Sequence, residues 1–171
     1  MTPLVLDVTC SGRMMWFEKE NPIALYCDKR AETVRAWNYE REMIVSPDIV
    51  SNFTELPFRD ESFYLVVFDP PHIDSMNENS RTAQIYGKLF PDWETDIAAG
   101  FSECFRVLKD CGTLVFKWNE TSISTQKILK LTDVKPLFGH LSGKLSKTHW
   151  ITFIKHNKSF KKDAAKDRRT S

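Results

Sequence analysis

Phe63-Tyr-Leu-Val-Val-Phe-Asp-Pro-Pro-His72 is the stretch that decides the fold. Its first six residues form an apolar-rich run, which predicts a buried strand over Phe63–Phe68, and the run ends abruptly at an acid followed by two prolines. Continuous apolar strands are typical of parallel sheets whose two faces are both covered. The stretch therefore predicts an α/β protein in which Asp69 stands at the carboxyl end of an interior strand.

Segments with strand-like and helix-like patterns alternate on both sides of this strand. The remaining predicted strands are Leu4–Val8, Ile23–Cys27, Pro47–Val50, Thr113–Trp118 and a final pair, Pro136–Phe138 with Thr148–Ile154. The predicted helical segments are Met14–Glu20, Ala31–Glu42, Trp93–Leu108 and Ser122–Leu131. This order predicts a mainly parallel, doubly wound sheet with helices on both faces and an antiparallel edge hairpin.

Composition and charge indicate one globular domain with an uneven charge distribution. The chain has 171 residues, of which 42% are hydrophobic and 27% charged, and its formal net charge is +1. Seven basic and two acidic side chains lie between Lys155 and Ser171, so this end carries +5 and the rest carries −4. We expect a folded domain over 1–156 and a basic, disordered tail over 157–171, and the tail leaves nucleic-acid binding open.

Targeting signals and metal motifs are not evident in the sequence. No apolar run approaches the roughly 20 residues of a membrane-spanning helix, and the N-terminus has no basic segment before its apolar residues. The four cysteines include no Cys-x-x-Cys pair. The sequence predicts a cytoplasmic protein with reduced thiols, without a membrane or metal partner, and leaves the oligomeric state open.

Acidic residues lie at or directly after the carboxyl ends of three predicted strands. Asp7 precedes the turn at Ser11-Gly12, Asp28 ends the second strand, and Asp69 ends the central one. In an open parallel sheet, one crevice beyond the carboxyl ends of the strands can collect such groups. Asp28 follows Asp7 by 21 residues, which is close to the spacing at which an acid in nucleotide-binding units holds ribose hydroxyls. A loop acid or a helix cap remains the alternative for Asp7 and for Asp28, because the loop has one glycine only.

The segment Asp69-Pro70-Pro71-His72 is suited to binding an amino group. Two prolines fix φ and remove two N–H donors, so the carbonyls beside them are free to accept hydrogen bonds. A carboxylate and a carbonyl held side by side can accept both protons of an amine, and the ring at His72 can stack on a base. The alternative is a strand terminator with a capping acid, and His72 alone is equally suited to a loop position hydrogen-bonded to backbone.

These segments resemble class I S-adenosylmethionine-dependent methyltransferases. The resemblance rests on Leu4 to Arg13, Asp28, Asn52 to His72 and Phe105 to Trp118, and it covers about residues 3–155 in the usual motif order. More narrowly, the Asp-Pro-Pro-His segment is similar to the Asp-Pro-Pro-aromatic motif of amino methyltransferases from phages and prophages, many of which act on adenine in nucleic acid. The resemblance implies a Rossmann-like methyltransferase fold with S-adenosylmethionine as the cofactor.

The resemblance also implies a role for each motif residue. Cofactor-binding positions would be Asp7, Thr9, Cys10 and Gly12 at the methionine part, Asp28 at the ribose, and Asn52 and Phe53 at the adenine. Catalytic positions would be Asp69 and Pro70 at the target amine, Pro71 beside them, and His72 as the stacking ring. Ser11 departs from the family, which usually has glycine there, and His72 replaces the more usual Tyr, Phe or Trp.

Three functions are consistent with the sequence. The first is methyl transfer to an amino nitrogen, with adenine N6 of DNA or RNA as the expected acceptor. The second is methyl transfer to a small-molecule or protein amine, and the third is a cofactor-binding module without activity. Among the tryptophans, Trp118 is expected to form a wall of the substrate site, and 73–91 is expected to be a lid or a solvated connection.

Overall fold

The computed structural model describes residues 3–35, 42–72, 89, 91–139 and 146–156. The strands are β1 Val5–Asp7, β2 Ala24–Asp28, β3 Glu32–Val34, β4 Met43–Val45, β5 Ile49–Val50, β6 Phe63–Phe68, β7 Leu108–Asn119 and β8 Thr148–Ile154. The helices are α1 Trp93–Val107 and α2 Thr125–Ile128, and a 3₁₀ turn at Leu129–Leu131 extends α2. Among the described residues, no helix is long and apolar enough to cross a membrane.

Six strands form one sheet in the order β5-β2-β1-β6-β7-β8. All neighbouring pairs are parallel except β7 and β8, which are antiparallel, so the predicted fold class is confirmed. The chain runs outward from β1 to β5 on one side and starts again at β6, directly beside β1. This reversal of direction places the carboxyl ends of β1 and β6 side by side, which is where open α/β sheets bind ligands.

Aromatic packing between α1 and the central strands forms the core. Phe101 on α1 is 1% exposed, and its ring centroid lies 4.8 Å from that of Phe116 and 5.8 Å from that of Phe68. Burial of each such ring stabilises the fold by about 1.5–3 kcal/mol. The prediction of α1 is confirmed within one residue, because its apolar positions fall on one helical face and its first turn is acidic.

Two predicted helices are wrong. Within Ala31–Glu42, the residues of β3 are extended and pair in an antiparallel ribbon with β4, while 36–41 lie outside the described residues. The segment Met14–Glu20 forms turns and bends, since Arg13 donates to the Lys19 carbonyl and Trp16 donates inward to Asp7. Helix propensity is a weak preference, and these tertiary contacts override it.

The second half of the chain follows the prediction with shifted boundaries. The strand expected over 113–118 is longer, because β7 starts at Leu108 and carries an irregularity before Thr113. The helix expected over Ser122–Leu131 shrinks to α2 and its 3₁₀ turn. The expected hairpin partner of β8 is reduced to one bridge, between Phe138 and Thr152. The expected tail over 157–171 lies outside the described residues.

Candidate active site

A cavity of about 470 Å³ opens where β1, β2 and β6 end. The predicted site residues that line it are Thr9, Cys10, Asp28, Phe53 and the whole of Asp69–His72. Small-molecule pockets are typically concave and about 300–1,000 Å³ in volume. The structure thus brings residues predicted to bind the cofactor and residues predicted to be catalytic into the wall of one cavity of suitable size.

Three other predicted residues, Asp7, Gly12 and Asn52, are not in the wall of this cavity. Asp7 is fully buried beneath it, where Oδ1 accepts from the Thr9 N–H at 3.2 Å and Oδ2 from the Trp16 indole at 2.7 Å. Burial raises the pKa of Asp7 to about 7, although both hydrogen bonds oppose the rise. Through these two hydrogen bonds, the buried Asp7 carboxylate stabilises the loop after β1.

The loop after β1 is held by β2 and β4. Its Ser11 N–H donates to Asp28 Oδ2 at 2.9 Å, and Ser11 has a φ of 46°, in the left-handed region that favours glycine. A Cβ on Gly12 would lie 2.8 Å from Met43 Cγ, so the missing side chain at Gly12 makes room for the ribbon. Ser11 itself lines the cavity.

Asp28 presents a carboxylate to the cavity from the end of β2. Besides the Ser11 bond, its Oδ1 accepts from the backbone N–H of Arg30 at 3.0 Å and from its Nε at 3.3 Å. An ionised carboxylate has about four acceptor sites, so these three bonds leave capacity for a hydroxyl. Asp28 is placed to accept from a polyol such as a ribose.

Asp69 is fixed by two neighbouring strands. Its backbone N–H donates to the Thr9 hydroxyl at 2.9 Å, and Lys117 of β7 donates to its Oδ2 at 2.6 Å. Burial raises the pKa of Asp69, and the charge of Lys117 opposes that rise. Among the described residues, Oδ1 of Asp69 has no hydrogen-bond partner. One carboxylate oxygen is thus engaged and the other is available.

His72 lines the cavity and has a lowered pKa. Burial is the main cause of the lowering, and the nearby carboxylate of Asp69 opposes it. Its ring packs edge-to-face on Trp118 with a centroid separation of 6.0 Å. In the described part of the chain, Nδ1 of His72 is buried without a hydrogen-bond partner.

The expected role of Trp118 as a substrate wall is wrong. Trp118 is 0% exposed, and its indole donates to the Ile123 carbonyl at 2.9 Å inside the core. Successive residues of a strand point to opposite faces, so Lys117 faces the cavity and Trp118 does not. The tryptophan in the cavity wall is Trp150 of β8, which is 47% exposed and pairs in register with Lys117.

A smaller cavity of about 40 Å³ adjoins the first, and both are lined by Lys29, Phe53 and Pro71. Asn52 and Asp96 of α1 also line it. Arg106 of α1 stabilises the loop that carries Asn52 and Phe53, because it donates to the carbonyls of Leu56 and Phe58 and forms a bidentate pair with Glu103. An aromatic ring with nearby amide and carboxylate groups is a suitable environment for a planar heterocycle.

No protein-family model matches the sequence, and no curated protein matches it. Solved structures match over most of the chain. The PH0226 protein of Pyrococcus horikoshii OT3 has 15% identity over 88% of this chain and 81% of its own, with a TM-score of 0.59. A SAM-dependent methyltransferase of Methanosarcina mazei has 13% identity over 89% and 92%, with a TM-score of 0.56. The N-methyltransferase NodS of Bradyrhizobium japonicum WM9 has 12% identity over 90% and 85%, with a TM-score of 0.54.

The chain has the Rossmann-like methyltransferase fold. Identities this low show the architecture alone, and an activity has to be argued from the site.

Sequence reasoning missed several polar or aromatic groups of this site in the methyltransferase fold, and four of them come from its last two strands. Lys117, Asn119, Thr148 and Trp150 line the cavity from β7 and β8. One signal was present for Lys117, since a charged residue inside the apolar run Leu114–Trp118 requires a partner. The other three depend on the register between β7 and β8, which the sequence does not specify.

Proposed function

We propose that the chain is an S-adenosylmethionine-dependent methyltransferase that methylates an amino nitrogen, with adenine N6 of DNA or RNA as the favoured acceptor. The observation that carries the proposal is the shared cavity, which is lined both by Asp28 and Phe53 and by Asp69-Pro70-Pro71. A cofactor site and an amine site in one cavity are what direct methyl transfer requires.

The residues present fit the cofactor. The loop at Cys10 and Ser11 would hold the methionine part, Asp28 the ribose hydroxyls, and Phe53 with Asn52 the adenine. Bound S-adenosylmethionine would supply an electrophilic methyl group on a positively charged sulfur. In the part of the chain described, no group of three or more His, Cys, Asp or Glu could hold a metal ion.

Asp69 and Pro70 would orient the acceptor. Oδ1 of Asp69 and the Pro70 carbonyl are acceptors, and neither Pro70 nor Pro71 has an N–H that could compete for them. Two hydrogen bonds from an amine to these acceptors would free the nitrogen lone pair from conjugation with its ring and direct it across the cavity. Such positioning of charge and geometry is a recognised source of rate.

Aromatic side chains in the cavity wall favour a planar acceptor. His72 and Trp150 both line the cavity that contains Asp69, and stacking of a base on one aromatic ring contributes about 1–3 kcal/mol. These two rings support a nucleobase over an aliphatic amine of a small molecule or protein.

The test is incubation with methyl-labelled S-adenosylmethionine and separate pools of DNA, RNA and small molecules, followed by mass spectrometry of the products. We expect N6-methyladenine from a nucleic-acid pool, loss of product with Asp69→Ala, and retention with the exposed control Asp133→Ala. Product in the small-molecule pool alone would identify the second acceptor class. Product that survives Asp69→Ala in a folded protein would refute the mechanism, and tight cofactor binding with no product from any pool would favour the module without activity.

A further inference from the structure

In the cavity wall, Lys117 of β7 lies between Asp69, which follows β6, and Trp150 of β8. Its Nζ lies 2.6 Å from Asp69 Oδ2 and 5.6 Å from the centroid of the Trp150 ring. The side chains of Lys117 and Asp69 are 27% and 17% exposed, so the ion pair is largely withdrawn from water. A charged hydrogen bond of this length fixes the direction of the carboxylate as well as its charge.

We propose that Lys117 is a positioning residue for Asp69, which directs one carboxylate oxygen into the cavity, keeps the group charged and thereby restricts the site to uncharged aromatic amines. The substrate part of this proposal rests on the proposed function. The positioning part concerns the two side chains alone and is testable without any acceptor.

The surroundings of Asp69 explain why it requires a cation. From β1, the buried Asp7 carboxylate disfavours a second negative charge, and the Thr9 hydroxyl binds the backbone of Asp69 rather than its carboxylate. From its own segment, His72 has a lowered pKa and so supplies little positive charge. Burial then favours the neutral acid. Lys117 is the largest influence that opposes it, through its charge and its hydrogen bond, and the charge of His72 opposes it to a smaller extent. An adjacent cation lowers the pKa of an aspartate by about 1–3 units.

The ion pair also determines which amines suit the site. An alkyl amine is protonated at neutral pH, so it would bring a second positive charge beside Lys117 and would need to lose a proton before it could attack. A carboxylate already paired with an ammonium group is a weak base for that step. An amine conjugated to an aromatic ring is uncharged, so it can attack while it donates to Asp69 and Pro70 and need not lose a proton first. Methylation makes the nitrogen strongly acidic, and its extra proton then leaves to Asp69 or to water, for which a weak base is sufficient.

The test is a pH titration of the Asp69 carboxyl carbon by NMR in protein labelled with ¹³C-aspartate, with the resonance assigned by its loss in Asp69→Asn. Lys117→Gln keeps a hydrogen-bond donor and removes the charge, Lys117→Arg restores the charge, and Lys130→Gln on the exposed 3₁₀ turn is the control. We expect the Asp69 midpoint to rise by about one unit or more in Lys117→Gln. It should stay near the wild-type value in Lys117→Arg and Lys130→Gln.

An Asp69 midpoint that is the same in Lys117→Gln as in the wild type would overturn the proposal, and thermal melts of each variant would confirm that it is folded. This failure is distinguishable from failure of the proposed function. Methyl transfer by the wild type, together with an unchanged Asp69 midpoint in Lys117→Gln, would refute the role of Lys117 alone. A raised Asp69 midpoint in Lys117→Gln, without methyl transfer by the wild type to any pool, would refute the methyltransferase function.

Discussion

Replacement of Asp7 by asparagine tests the electrostatics beneath the cavity. Asp7 is fully buried, and its pKa is raised from 3.8 to about 7. A carboxyl whose pKa is higher in the folded than in the unfolded state binds extra protons when folded. Its contribution to stability is therefore complete below pH 3.8 and is lost as the pH rises through 7. Asparagine cannot ionise, so the variant lacks this loss.

The size of the effect follows from the pKa shift. One pKa unit corresponds to about 1.4 kcal/mol, so between about pH 4.5 and about pH 8 the wild type should lose about 3 kcal/mol relative to Asp7→Asn. In the opposite direction, the amide cannot accept from both Trp16 and Thr9, which costs the variant about 1 kcal/mol at every pH. We expect the variant to be less stable than the wild type in acid and more stable above neutrality.

The measurement is urea unfolding of both proteins at several pH values across that range, followed by circular dichroism. The control is Glu55→Gln at an exposed position, which should leave the difference from the wild type independent of pH. A constant free-energy difference between Asp7→Asn and the wild type at all pH values would refute the raised pKa and the argument built on it.

Two further substitutions test the residues that hold the loop of Asn52 and Phe53 in place beside the proposed cofactor site. Arg106→Ala removes the bidentate pair with Glu103 and leaves that carboxylate, which is 17% exposed, without its cation. It should lower the free energy of unfolding by about 3 kcal/mol in urea, against less than about 1 kcal/mol for the exposed Arg35→Ala. In Gly100→Ala, the new Cβ would lie 2.8 Å from the Phe53 ring, so we expect a loss of about 1–3 kcal/mol together with weaker cofactor binding in calorimetry. Unchanged cofactor affinity in this variant would contradict the placement of Phe53 in the cofactor site.

The sequence predicted the parts of the fold that local patterns determine. The continuous apolar run of β6 and the helical spacing of α1 are independent of their neighbours, and both appear where expected. The segment Ala31–Glu42 has helix-forming residues, yet β3 and β4 pair with each other as a ribbon. The ribbon also packs against Gly12, where a Cβ would lie 2.8 Å from Met43 Cγ. Pairing and packing between residues so distant in sequence cannot be inferred from composition.

Site residues that lie together in one continuous segment could be predicted from the sequence. Asp69-Pro70-Pro71-His72 is such a segment, and all four residues line the cavity. Lys117 and Trp150 were missed as site residues because their position depends on which face of β7 and β8 meets the cavity. A shift of one residue in that register would have put Trp118 in the wall instead.

Calorimetric titration with S-adenosylmethionine tests the central claim most directly. We predict one binding site per chain, weaker binding in Phe53→Ala, and unchanged binding in Phe17→Ala, whose side chain is fully exposed. Absence of binding to the wild type, or binding that Phe53→Ala leaves unchanged, would contradict the assignment of this cavity as the cofactor site.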